Sequence, residues 1–284
     1  MKRLLALSFA VLSFNSAFAQ TNDEVTALLG PVPSDQELIQ LQEKESVQRR
    51  IEMGMWDNFN ACKYGIRVPD KVTRGTIALT FDDGPNPKTT PIILDTLKKH
   101  GAKATFFVLG GKIAGNETLI RRILNEGHHI ANHSWNHPNF HTLSVVDAKN
   151  QIYQTDKALR QFVTPNYLRY PYGNSTCSAN EYANSIGYNI VGWNIDTCDW
   201  AFANTGRVSD SSNKTCQAPA SLRADYAGYV NHVVAQTNGG VLLMHDIHAN
   251  TANSLDRMMT MLEKQGYRFV DLADTNLFPK LNEY

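Results

Sequence analysis

The chain has 284 residues, 42% hydrophobic and 19% charged, with 27 basic and 27 acidic side chains. That length holds one large domain or two ordinary ones with a real core, and the composition excludes disordered and fibrous classes. A formal charge of zero speaks against a nucleic-acid binder that depends on phosphate neutralisation.

At the start, Lys2 and Arg3 precede an apolar stretch from Leu4 to about Leu12, and Ala17-Phe18-Ala19 forms a small-residue cleavage site before Gln20. This three-part pattern predicts a secretory signal peptide over residues 1–19. The mature protein is then secreted or periplasmic and keeps no stable membrane anchor. Residues 20–73 show no strand signal, and Ser34-Asp35-Gln36-Glu37 reads as a capping box opening a helix. A helical extension is expected there, ahead of a main domain over 74–284.

From Thr76 a rhythm of short apolar runs and helical patterns begins. The runs are Ile77–Phe81, Ala104–Leu109, His129–Ala131, Tyr167–Tyr170, Tyr188–Trp193, Gly240–Met244 and Tyr267–Leu272. Helices are predicted near 90–100, 117–126, 145–162, 179–186, 220–236 and 252–265. In the last, Leu255, Met258, Met259 and Leu262 fall on one face, a core stripe. About seven strand-then-helix units imply a parallel α/β sheet, with connection lengths that fit a barrel. The stretch Ala201–Pro219, rich in Asn, Ser and Thr, reads as a long loop at the rim.

Four cysteines, Cys62, Cys177, Cys198 and Cys216, fit an exported chain with two disulfides, for which three pairings exist. No C-x-x-C pair supports a zinc cluster. A Cys198–Cys216 bond is expected, because it would pin the irregular stretch between them.

Chemistry in such barrels collects where strands end. Here the ends carry Asp82 and Asp83, His133, Arg169, Asp196 and Asp199, and His245. His133 and His137 are four apart, a spacing that puts both imidazoles on one face of a helical turn and lets them share a metal. Two adjacent aspartates closing an apolar strand need partners, and a divalent metal and an arginine are the obvious ones. Two His and one Asp leave a coordination position open for water, as in catalytic zinc sites.

Five ordered segments resemble the motifs of the polysaccharide deacetylases, the NodB-homology family or carbohydrate esterase family four. They are Thr80–Pro85, His133–His137, Arg169–Gly173, Asp196–Trp200 and Leu243–His245, and the resemblance covers roughly residues 74–275. It implies a distorted (β/α)7 barrel. It also implies that Asp83, His133 and His137 hold zinc, with cobalt or nickel as substitutes. Asp82 would then be the general base, paired with Arg169, and the Tyr172 N–H would help bind the oxyanion. His245 would be the general acid, kept oriented and protonated by Asp199. Trp200 and Leu243 would shape the acetyl pocket, and Tyr172 and Trp193 would meet the sugar, with barrel core an equal reading for Trp193. Asp246 and His248 are read as rim or supporting residues, not ligands.

The function implied is removal of N-acetyl groups from N-acetylglucosamine units of an extracytoplasmic polymer by a monomeric enzyme. Peptidoglycan is the first expectation and chitin or its oligosaccharides the second. An O-acetyl esterase of the xylan type and a non-catalytic carbohydrate-binding protein follow. Retention of Asp82, Arg169 and His245 together argues against the last.

Overall fold

The computed structural model describes residues 74–282. The expected signal peptide, the capping box at Ser34–Glu37 and Cys62 lie outside the described residues. No helix among the described residues is long and apolar enough to cross a membrane.

The strands are β1 (Thr76–Asp82), β2 (Ala104–Val108), β3 (His129–Asn132), β4 (Tyr167–Leu168), β5 (Asn189–Ile190), β6 (Ile195–Asp196), β7 (Gly240–His245) and β8 (Arg268–Phe269). All pairings are parallel, in the order β5-β4-β3-β2-β1-β7-β6, with β8 beside the start of β1. β5 and β6 therefore sit at opposite ends of the sheet, although only residues 191–194 join them. That short connection spans at most about 17 Å. Seven strands laid flat would separate their edges by about 29 Å. The sheet must curl until its edges approach, which gives the expected distorted barrel.

The apolar run Tyr188–Trp193 reads as one strand from sequence, but the structure bends it between two edges. Val191 N–H still bonds Leu168 of β4, whereas Asn194 N–H bonds Val241 of β7. The final run, Tyr267–Leu272, forms only the two paired residues of β8.

Helices α1 (Thr90–Lys99), α2 (Glu117–Asn125), α3 (Val145–Leu159), α4 (Cys177–Ser185), α7 (Tyr226–Thr237) and α8 (Ala249–Lys264) occupy the six predicted positions. Ser144 caps α3 by accepting the Asp147 N–H, as the sequence suggested. α7 starts later than predicted, because Asp225 caps it through the Gly228 N–H after a 3-10 turn at Ala220–Leu222. Two short helices, α5 (Asp199–Phe202) and α6 (Asn213–Cys216), interrupt the expected rim loop. A Cys198–Cys216 disulfide ties them together, as expected. Cys177 is also disulfide-bonded.

Alternation along β1 divides the core. Ile77, Leu79 and Phe81 join the cluster that holds Leu255, Met258, Met259 and Leu262 of α8. Ala78 faces the other way, with Phe107, Ala131, Val241 and the C-terminal Leu272, Phe278 and Leu281. Continuing along that inner face, Ala78 gives way to Thr80 and then Asp82. On β7, Val241 gives way to Leu243 and His245. The inside of the barrel thus turns polar toward the carboxyl ends of its strands.

Candidate active site

Strand register brings the two halves of the site together. Asp82 and His245 are direct partners across β1 and β7, so they stand side by side on the inner face. His133 follows β3, with its N–H bonded to Val108, and Arg169 follows β4, with its N–H bonded to Asn132. A cavity of about 500 Å3 opens there. Its lining includes Asp82, Asp83, His133, His137, Tyr172, Trp193, Trp200, Leu243 and His245, while Arg169 and Asp199 stand behind it.

Asp83, His133 and His137 offer one ligand atom each within a small sphere, all within 4.8 Å of one another. Both imidazole Nε2 atoms lie 3.4 Å from Asp83 Oδ1. That oxygen is buried and has no hydrogen-bond partner. His133 Nδ1–H donates to the Arg169 carbonyl at 2.8 Å, which leaves Nε2 as a lone pair facing the carboxylate. Burial, the largest influence, holds the His133 pKa down to about 3. A neutral imidazole and an unpaired carboxylate oxygen converging on one point suit a cation, so the donor set fits a divalent metal.

The helical-turn expectation for His133 and His137 is corrected. Residues 133–137 are irregular, with Ser134 at φ 73° and His137 at φ 63°. The loop is held by its own side chains: Asn132 Oδ1 accepts from Ser134 N–H, and Ser134 Oγ accepts from His137 N–H. The two rings meet, at 5.1 Å between centroids, through that loop and not through helical periodicity.

Asp82 is buried, and its Oδ1 accepts from Arg169 NH1 at 2.7 Å. The guanidinium is itself fixed by Thr80 Oγ1 and by the carbonyls of Val191 and Gly192. It lies over the Phe107 ring at 4.1 Å and near Trp193 at 5.7 Å. Trp193 thus packs on the inner core and also lines the cavity. Burial lifts the Asp82 carboxyl above the usual range, opposed by the charges of Arg169 and His245.

The second cluster is centred on Asp199, which is fully buried at the start of α5. Its Oδ1 accepts from His245 Nδ1 at 2.7 Å and from Trp200 N–H at 2.9 Å. Its Oδ2 accepts from His245 N–H at 2.6 Å and from Thr251 Oγ1 at 2.8 Å. Burial opposes charge on His245, but Asp199, then Asp82 and Asp83, raise its pKa to about 10. Trp200 reaches Asp196 Oδ2 through its indole N–H at 3.4 Å, and Asp196 is the register partner of Leu243.

Tyr172 is 66% exposed, and its ring meets His137 edge-on at 4.6 Å. It adopts a left-handed backbone, φ 58°. Five of the seven non-glycine residues with positive φ among the described residues are Asp83, Ser134, His137, Tyr172 and Cys198. Such strained positions gather where function over-determines the backbone. No compositional signal marks them. Thr251 and Thr80 were also missed. For Thr80 a signal existed, since it stands two residues before Asp82 on the same strand face.

Residues 70–191 match the family model described as polysaccharide deacetylase. That segment holds Asp82, Asp83, His133, His137, Arg169 and Tyr172, and leaves Asp199 and His245 beyond it. A peptidoglycan-N-acetylglucosamine deacetylase of Listeria monocytogenes is 41% identical over 209 residues, 73% of this chain and 40% of that protein. Another, from Bacillus cereus, is 31% identical over 239 residues, 81% of this chain and 79% of that protein. Among solved structures, the chitin deacetylase of the fungal pathogen Colletotrichum lindemuthianum gives a TM-score of 0.60 at 30% identity. That match covers 74% of this chain and 89% of that one. The likeness to that solved structure lies in the curled parallel barrel. This chain belongs to the polysaccharide deacetylase family. It spans about two fifths of the length of the Listeria protein.

Proposed function

We propose that this protein is a metal-dependent N-deacetylase that releases acetate from N-acetylglucosamine residues of peptidoglycan, outside the cytoplasm. The observation that carries the reading is the sharing of one cavity by two opposed devices, the Asp83-His133-His137 donor set and the His245–Asp199 pair. The 41% identity to a peptidoglycan deacetylase supports the polymer, and the Cys198–Cys216 disulfide suits an oxidising compartment.

Asp83, His133 and His137 hold the cation, with zinc first among candidates for an Asp-His-His set. When bound, it polarises the acetyl carbonyl and makes water more acidic. Asp82 accepts the proton of the attacking water, and Arg169 keeps that carboxylate charged and aimed. The Tyr172 N–H adds a donor for the oxyanion. His245, protonated through its contacts with Asp199, gives a proton to the sugar nitrogen as the C–N bond breaks, so the amine leaves neutral. Trp200 and Leu243 border the space for the acetyl methyl, while Tyr172 and Trp193 present rings to the sugar.

The test is mass spectrometry of muropeptides and of N-acetylglucosamine oligomers after incubation with zinc-loaded protein, with Asp82→Asn alongside. Loss of acetyl mass from the glucosamine of muropeptides supports the proposal. Loss only from the oligomers moves the substrate to chitin, and loss from neither overturns the N-deacetylase reading.

A further inference from the structure

The turn that presents Asp83 depends on a residue outside the donor set. Asp246 follows His245 and is completely buried. Its N–H donates to the Asp82 carbonyl at 3.2 Å. Its own carbonyl accepts from Thr89 Oγ1, and its Oδ2 accepts from Thr90 Oγ1 at 2.5 Å. Asp246 thus ties the ends of β1 and β7 to the first turn of α1. Its Oδ1 has no partner. A buried carboxyl with an unpaired oxygen costs stability, so its presence here needs a reason.

Gly84 supplies the reason. A Cβ placed on Gly84 would sit 2.1 Å from Asp246 Oδ2 and 2.3 Å from Oδ1, and the three atoms nearest to it all belong to Asp246. The carboxyl group therefore fills the space that a side chain at residue 84 would take. Asp83, one residue earlier, holds a left-handed backbone at φ 75°, which a non-glycine residue keeps only when its surroundings insist. Other contacts secure the same turn from the backbone side. Asp83 N–H bonds Phe107, Leu109 N–H bonds Gly84, and Lys112 Nζ donates to the Asp83 carbonyl at 2.9 Å. Against Gly84 itself stands Asp246.

We propose that Asp246 is a positioning residue for Asp83: anchored to Thr90 and seated against Gly84, it fixes the turn that aims the Asp83 carboxylate at His133 and His137. This rests on the reading of those three residues as a metal site. Groups behind metal ligands typically govern affinity by about 10–100-fold when removed.

The experiment measures zinc affinity of the full chain by competition with a chromophoric chelator, together with the thermal midpoint, for wild type, Asp246→Ala, Asp246→Asn and Leu255→Ala. Wild type is expected to bind one equivalent. Asp246→Ala empties the space against Gly84 and should bind at least about tenfold more weakly. Asp246→Asn keeps the shape and an acceptor for Thr90, and should stay within about threefold of wild type, a rescue that a mere loss of packing elsewhere would not give. Leu255→Ala opens a cavity in the buried face of α8 and should lower the thermal midpoint without changing zinc affinity. Wild-type affinity in Asp246→Ala, or an equal loss of affinity in Leu255→Ala, overturns the positioning role. Failure of wild type itself to bind zinc overturns the metal site, and the positioning role with it.

Discussion

The two sides of the cavity are built on opposite principles. On one side, Asp83, His133 and His137 stand on irregular backbone, and their closest mutual contacts, 3.4 Å, surround a carboxylate oxygen with no donor. On the other side, Asp199 accepts four hydrogen bonds between 2.6 and 2.9 Å, and its imidazole partner is fully engaged on that edge. The first arrangement is incomplete as polypeptide and is suited to completion by a cation. The second is complete as it stands, and Asp199 is the main favourable influence on the protonation of its imidazole. Damage to the first should therefore appear in metal content, and damage to the second in proton affinity.

The largest effect should come from removing the cation. Chelation, or His133→Ala, should abolish turnover and lower the thermal midpoint, since a ligand at a hundred times its dissociation constant stabilises the native state by about 2.7 kcal/mol. An unchanged metal content in His133→Ala would remove that residue from the donor set. Next is Asp82→Asn, which should keep the metal but lose about 10^2–10^4 of the rate, the usual worth of a general base. Retained activity there would end the general-base assignment. His245→Ala should bind zinc normally and lose a comparable factor on the amide, but far less on an acetyl ester with a good leaving group, which needs no proton. Equal losses on both substrates would contradict a general acid at His245.

The same contrast marks what can be read from the chain. The strand–helix alternation was legible because β1 and β7 bury both faces, giving compact apolar runs between amphipathic helices such as α8. Asp82 and Asp83 were legible because paired charges at the end of such a run demand partners. The break between β5 and β6 was not, because Tyr188–Trp193 looks uniform, and the edge each half pairs with is set by the curl of the whole sheet. His133 and His137 do converge, but not through the helical turn that their spacing suggests. Their loop depends on left-handed backbone at Ser134 and His137, which neither residue type announces. Thr251 and Asp246 sit around the start of α8, where polar residues are ordinary, so their burial against the site could only come from tertiary structure.

The smallest and sharpest test concerns the completed side. Asp199→Asn keeps the size of the side chain but removes the charge that most strongly favours the His245 imidazolium. Its amide N–H2 group, turned toward Nδ1, would leave that nitrogen as an acceptor and the proton on Nε2. The His245 pKa, about 10 in wild type, should then fall toward the ordinary value near 6.5, because burial remains and only the charges of Asp82 and Asp83 still oppose it. NMR titration of the imidazole in metal-free protein reads this directly, and in the loaded enzyme the alkaline limb of kcat/KM should move to lower pH. Stability supplies an independent sign. A folded-state pKa raised above the unfolded one stabilises wild type fully below about pH 6.5, and that contribution is lost as pH rises through about 10. The stability gap between wild type and Asp199→Asn should therefore be widest near pH 6 and narrow steadily above it. A gap that stays constant across that range would mean that Asp199 orients His245 by packing, without holding its proton.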